Sequence, residues 1–189
     1  MAILYTNIRK DCSLDFNSEY KPYSKGELLS EFEKHSLRNG FSKVEWTDKK
    51  ESPYKCNVIS KEKTFTLFMY LKNISGAGWE NKPWIKRVQV PNIRHHNPEY
   101  YVSTNAKQTM VIIGYYNYDD NPLFVAWDAY DYVMHSTVRS CYVEVDDLLR
   151  GYEEEYFSGE CSKQRIWVFK PEYLRRFLNE YISLNSTEE

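Results

Sequence analysis

Glycine is scarce, seven residues in 189, and no P-loop, no Gly-x-Ser-x-Gly and no Cys–His pairing can be found among them. Nucleotide hydrolysis and nucleophilic catalysis therefore lack the patterns that usually announce them. Cysteine is equally sparse. Cys12, Cys56, Cys141 and Cys161 are scattered without any Cys-x-x-Cys spacing, which argues against zinc fingers, redox pairs and a secreted disulfide framework. No apolar run reaches the length of a membrane span, and the opening MAILYTNIRKD lacks a basic segment followed by an apolar stretch. These absences predict a soluble, cytoplasmic chain in a reducing compartment.

A third absence is local. Residues 81–96, NKPWIKRVQVPNIRHH, hold no Asp or Glu, although the whole chain has a formal net charge of -2. Lys82, Lys86, Arg87 and Arg94 are gathered there with His95 and His96. The counterweight is DDLLRGYEEEYFSGE (146–160), with six carboxylates against one Arg. Charge segregated in this way lets an acidic protein present a positive face to a polyanion. Consecutive Glu residues splay around a helix, so this acidic stretch reads as a solvated or partner-facing surface, not as a metal site.

What is abundant is aromatic: 17 Tyr, 9 Phe and 5 Trp, a composition that suits half-buried pleated sheet. The first 23 residues read as an arm or a short strand with a loop. KGELLSEFEKHSLRNG (25–40) predicts a helix with apolar Leu28, Leu29, Phe32 and Leu37, an N-cap at Ser24, Glu27 three residues on, and Gly40 as the stop. Beyond it the period becomes two. Strands are predicted at 43–48, 55–60, 64–73 and 84–90, then a hairpin over 108–130 turning at DDNP. TVRSCYVEV leads into a short acidic helix at 146–151, and QRIWVFK into a closing helix that carries Pro171 in its first turn. Seven or eight strands joined by short turns predict an α+β fold, mainly β. The expected form is an open, partly closed antiparallel barrel with two flanking helices, the last plugging one mouth. One domain is expected over 1–189, with its core at about 24–182.

Within WIKRVQV, alternation predicts Trp84, Lys86, Val88 and Val90 on one face and Ile85, Arg87 and Gln89 on the other. The basic stretch has a plain reading, a solvated edge strand blunted by Lys and Arg. A nucleic-acid reading draws on three details. Gly76 and Gly78 leave the loop GAGWENKP free to approach a ligand. Trp79 and Trp84 flank Lys82. Arg87 and Gln89 are the residue types that make bidentate contacts to guanine and adenine edges, while Lys82, Lys86 and Arg94 suit phosphates. The string RHHN (94–97) lacks the further ligands a His-metal nuclease needs, and His135 suits a buried hydrogen bond or a phosphate contact. A carboxylate cluster with a lysine two residues on is met only in fragments, at Asp48–Lys50 and Glu19–Lys21. No catalytic site, metal or cofactor is expected.

GAGWENKPWIKRVQV resembles the Gly…Arg/Lys-Pro-x-x-x-x-Arg-Ile-Gln segment of DNA-recognition domains in restriction systems. MVIIGYYNYDDNPLFVAWDAYDYVMHSTVRS and RIWVFKPEYLRRFLNEY look like the companion segments that follow it, and together the three cover roughly residues 64 to 182. The family resembled is the LlaJI-type, McrB-related amino-terminal DNA-binding domain. Its fold is similar to the plant B-three domain and to the effector domain of some type II restriction enzymes. The resemblance implies a seven-stranded pseudobarrel gripping the major groove with two arms. One arm would lie near Trp79 to Gln89, the other after Trp127-Asp128 through His135, Ser136 and Arg139. It further implies double-stranded DNA as partner, and a GTP-driven AAA+ motor and a nuclease subunit, fused or separate, within a bacterial restriction system. Three alternatives stay open: a reader that flips a methylated cytosine, a small metal-dependent nuclease, and a protein-interaction module.

Overall fold

The structure, a computed structural model, describes residues 6–16, 21–91, 108–133 and 139–185. A two-stranded ribbon, β1 (Asn7–Ile8) and β2 (Leu14–Asp15), precedes helix α1 (Lys25–Arg38). Strands β3 (Lys43–Asp48), β4 (Tyr54–Ile59) and β5 (Thr64–Asn73) follow, then β6 (Ser75–Gly76) and β7 (Ile85–Val90). The hairpin β8 (Gln108–Tyr118) and β9 (Asn121–Trp127) leads to a one-turn helix α2 (Tyr130–Val133) and to β10 (Arg139–Glu144). Helix α3 (Val145–Glu153), strands β11 (Tyr156–Cys161) and β12 (Gln164–Phe169), a 3₁₀ turn (Pro171–Tyr173) and α4 (Leu174–Asn185) complete the order. The class is α+β, mainly β, and the large sheet is open.

That sheet has seven strands in the order β11-β12-β9-β8-β5-β4-β3, and a second sheet has the order β10-β7-β6. Every pairing in the large sheet is antiparallel except β5 with β8, which run parallel from Thr66↔Gln108 to Asn73↔Tyr115. A parallel pair needs a long crossover. The chain between Asn73 and Gln108 supplies one and builds β6 and β7 on the way.

Alternation along β5 separates two cores. Phe65, Leu67, Met69 and Leu71 pack with Leu28, Leu29 and Phe32 of α1 and Phe177, Leu178 and Tyr181 of α4. Phe68 and Tyr70 face the other way, toward Val88, Val90, Cys141, Val143 and Leu148. The large sheet is therefore the middle layer, with α1 and α4 on one face and the small sheet with α3 on the other. The closing helix lies against the sheet face instead of plugging a barrel mouth. Tyr181, fully buried, fixes it there: its hydroxyl donates to the Met110 carbonyl at 3.0 Å and accepts from Ala129 N at 3.0 Å.

Helix α1 begins as its sequence predicts. Ser24 N donates to Glu27 Oε2 at 2.6 Å and Glu27 N donates back to Ser24 Oγ, a reciprocal capping box. Its buried stripe, however, runs through Leu28, Leu29, Phe32, His35 and Ser36, and Leu37 is exposed. The predicted DDNP turn is a two-residue loop in which Asp119 and Asp120 both have positive φ, 58° and 54°, so Tyr118 pairs directly with Asn121.

Trp127 joins the layers. Its ring is fully buried, and its Nε1 donates to the Tyr142 carbonyl of β10 at 2.9 Å. The small sheet is thereby tied to the hairpin behind it.

Candidate nucleic-acid interface

The small sheet presents one face to the core and one outward. In β7 the core face holds Lys86, Val88 and Val90, while Arg87 is half-buried and Gln89 exposed on the other side. Register puts Tyr142 of β10 and Ser75 of β6 beside Arg87, and Ser140 beside Gln89. Directly opposed residues of an antiparallel pair share a face. The outward surface is therefore a patch of Ser75, Arg87, Gln89, Ser140 and Tyr142. Among the described residues no hydrogen-bond or ion-pair partner meets the Arg87 guanidinium or the Gln89 amide.

The loop before β7 borders this patch and is pinned in place. Lys82 N donates to Trp79 O and Ile85 N to Lys82 O, each at 3.1 Å, making two consecutive turns. Ala77 N donates to Ile85 O, and Val145 N, at the head of α3, donates to Trp84 O, each at 3.0 Å. Gly78 has φ +75° with open space where a Cβ would stand, so the backbone conformation, not crowding, calls for glycine there. These backbone hydrogen bonds join the loop to β7 and to the head of α3.

Fixing the loop sets two indoles on the surface. Trp79 is 39% exposed and Trp84 44% exposed. Trp79 lies against Tyr142 with ring centroids 5.3 Å apart and planes at 36°. Above it stands the Lys82 ammonium, 5.8 Å from the ring centre. Trp84 was expected on the face of Val88 and Val90. The strand starts one residue later, and Trp84 occupies the turn, outside.

Lys86 requires a correction. It was expected to reach phosphates, but it is 1% exposed, on the core side of β7. Its Nζ donates to Asn7 Oδ1 at 3.1 Å and sits 5.3 Å from the Tyr116 ring centre. Tyr116 Oη accepts from Ile8 N at 2.9 Å, so the same cluster holds the ribbon against the sheet. Burial pushes the Lys86 pKa down to about 8. This lysine serves docking of the first strand and cannot contact a phosphate from where it lies.

Arg139, exposed at the start of β10, pairs with Val90. Alternation assigns it to the side of Cys141 and Val143, at the sheet's end and not beside Gln89. Arg94, His95, His96, His135 and Ser136 lie outside the described residues. Tyr142 and the serines 75 and 140 were not singled out from the sequence. Alternation within SCYVEV was legible, but the β7–β10 pairing that sets Tyr142 against Arg87 was not.

Among the described residues no three His, Cys, Asp or Glu side chains are grouped to hold a metal, and no helix is long and apolar enough to cross a membrane. The acidic stretch is divided in use. Asp147 Oδ2 accepts from Glu144 N at the start of α3, Glu154 pairs with Arg150, and Glu155 with Lys170 and Tyr173. Its second half, Tyr156–Cys161, is an edge strand that sequence reading did not find.

The geometry can be set beside known proteins. The family model of methylase-associated X1 matches residues 65–178, from β5 into α4 and more than half of the chain. The chain belongs to the methylase-associated X1 family. Methylase-associated X1 is a restriction-modification-associated domain, and its match contains the whole small sheet and both indoles of the loop. No curated protein and no solved structure matches the chain.

Proposed function

We propose that this chain is a sequence-specific double-stranded DNA recognition domain of a bacterial restriction or defence system, without catalysis of its own. The observation that carries the reading is the outward face of the small sheet. There a guanidinium and an amide that have no hydrogen-bond or ion-pair partner among the described residues stand beside an ammonium and two aromatic rings. Lys82 supplies counterion release and sets position, while Arg87 and Gln89 read base edges in the major groove. Membership in a methylase-associated family supports a DNA-directed role in such a system. The proposed partners are a GTP-hydrolysing AAA+ motor and a nuclease subunit, fused or separate.

Selection of bound sequences from a random duplex pool tests this reading, with methylated and unmethylated copies of the selected site compared afterwards. Enrichment of one sequence is expected. Arg87→Ala should then lose about 1–3 kcal/mol on the selected site and relax base choice. Lys82→Ala should weaken selected and random duplexes alike. Equal losses for Arg87→Ala on both duplexes would remove it as a reader, and a pool that yields no bound fraction would end the proposal.

A further inference from the structure

Trp84 is not used by a groove-reading strand, since it lies in the turn ahead of β7 and its indole makes no hydrogen bond among the described residues. Nor does it serve the core, with 44% of its surface exposed. Yet its backbone is held at both sides, by the Val145 N to Trp84 O bond and by the Lys82–Ile85 turn. A large exposed ring on a fixed backbone is ready to take a flat partner with little loss of conformational freedom. Nearby, Trp79 and Tyr142 show a ring already tilted against a ring, with the Lys82 ammonium over it. Arg87, in register with Tyr142, adds a second cation that has no carboxylate partner among the described residues. The loop has one carboxylate, Glu80, which is exposed and makes no ion pair among the described residues.

Aromatic rings interleaved with cations form the arrangement on which unpaired bases stack while their phosphates are neutralised. Continuous duplex offers its base faces to no protein ring, so such a platform gains from a nucleotide that has left the stack. We infer that Trp84, carried with Trp79 and Lys82 on the two consecutive turns ahead of β7, is a stacking site for an unpaired base, so that the chain prefers duplex carrying an extrahelical nucleotide. The inference rests on the DNA-binding reading above and deepens it, naming the form of DNA that fits the loop.

Fluorescence anisotropy with three labelled duplexes tests it: a continuous one, one with a single bulged adenine, and one in which the bulge is abasic. The full chain should bind the adenine bulge about ten-fold more tightly than the continuous duplex. The abasic bulge, which keeps the backbone and loses the ring, should bind like the continuous duplex. Trp84→Ala should erase the preference with little change on continuous duplex, and Trp84→Phe should restore most of it. Circular dichroism melts will show that these surface variants are folded. Equal affinity for all three duplexes overturns the inference and leaves the DNA-binding reading standing. A gain shared by the abasic bulge also overturns it, since backbone flexibility would then be the cause. Failure to bind any of the three overturns both.

Discussion

Lys86 shows how one position can mislead a reading by residue type. In the string WIKRVQV it looks like the neighbour of Arg87, and in β7 it points the opposite way, into a cluster with Asn7 and Tyr116. Alternation along the strand did place it with Val88 and Val90. The error lay in treating that face as exposed, because nothing in the sequence announced that residues 6–8 would cover it. Among the described residues no carboxylate meets its ammonium, and the charge is held by one amide oxygen and a ring face. Its pKa, near 8 when folded against an ordinary value near 10.5, fixes a sign. Below about pH 8 both folded and unfolded chains carry the proton, and the whole burial penalty is present. Between about pH 8 and 10.5 the folded chain sheds the proton first, so this group's contribution to stability rises with pH. Burial also pushes the thiols of Cys56 and Cys141 up to about 12 and that of Cys161 up to about 11, and these oppose the trend, because unfolded thiols ionise first. A difference measurement separates the two. In urea unfolding, wild type minus Lys86→Met should climb by about 1 kcal/mol between about pH 7.5 and 9. A flat difference would mean that the ammonium is not desolvated.

Two glycines make the elements testable in opposite directions. Gly151 of α3 faces β12, where an added Cβ would stand 2.3 Å from Val168 Cγ1 and 3.1 Å from Val168 Cβ. Gly26, in the first turn of α1, meets nothing within 4 Å and has an ordinary helical φ. Alanine is the better helix former at both, by up to about 1 kcal/mol. Gly26→Ala should therefore stabilise by a few tenths to about 1 kcal/mol, whereas Gly151→Ala should destabilise by about 1–3 kcal/mol as α3 is pushed off the sheet. Thermal melts of the two variants moving in the same direction would contradict this account of α3. The contrast also marks what local sequence could and could not tell. The α1 cap, the Asp119-Asp120 turn and the strands at 43–48 and 64–73 are set by neighbours a few residues apart, and they were legible. Strand β11 hides inside the acidic run because its partner β12 lies beyond a turn in which Ser162 and Lys163 both have positive φ. The parallel β5–β8 pairing depends on a crossover of more than thirty residues, and no local signal encodes it.

At the scale of the molecule, the seven-stranded sheet works as a rigid wall between two cores. Its helical side, with α1 and α4, is closed by apolar packing, and its other side carries the small sheet that offers Arg87 and Gln89 outward. The candidate site was thus half legible. Residue types and alternation marked β7, but its placement against β10, and so the Tyr142–Trp79 pair, is a property of the whole fold. The chain as a whole has a formal net charge of -2. Glu154 and Glu155 are engaged with Arg150 and Lys170, on α3 and after β12, while Lys82 and Arg87 have no carboxylate partner among the described residues. A protein of this charge should bind DNA through few phosphates, and that number can be counted from the salt dependence. With Lys82 and Arg87 as the described cations of the face, log K against log salt should fall with a slope of about −2, near 0.9 per phosphate neutralised. Lys82→Ala should make that slope shallower by about 1 on random and selected duplex alike. An affinity indifferent to salt would mean that the small sheet's outward face meets an uncharged partner, and the patch around Arg87 would then belong to protein recognition.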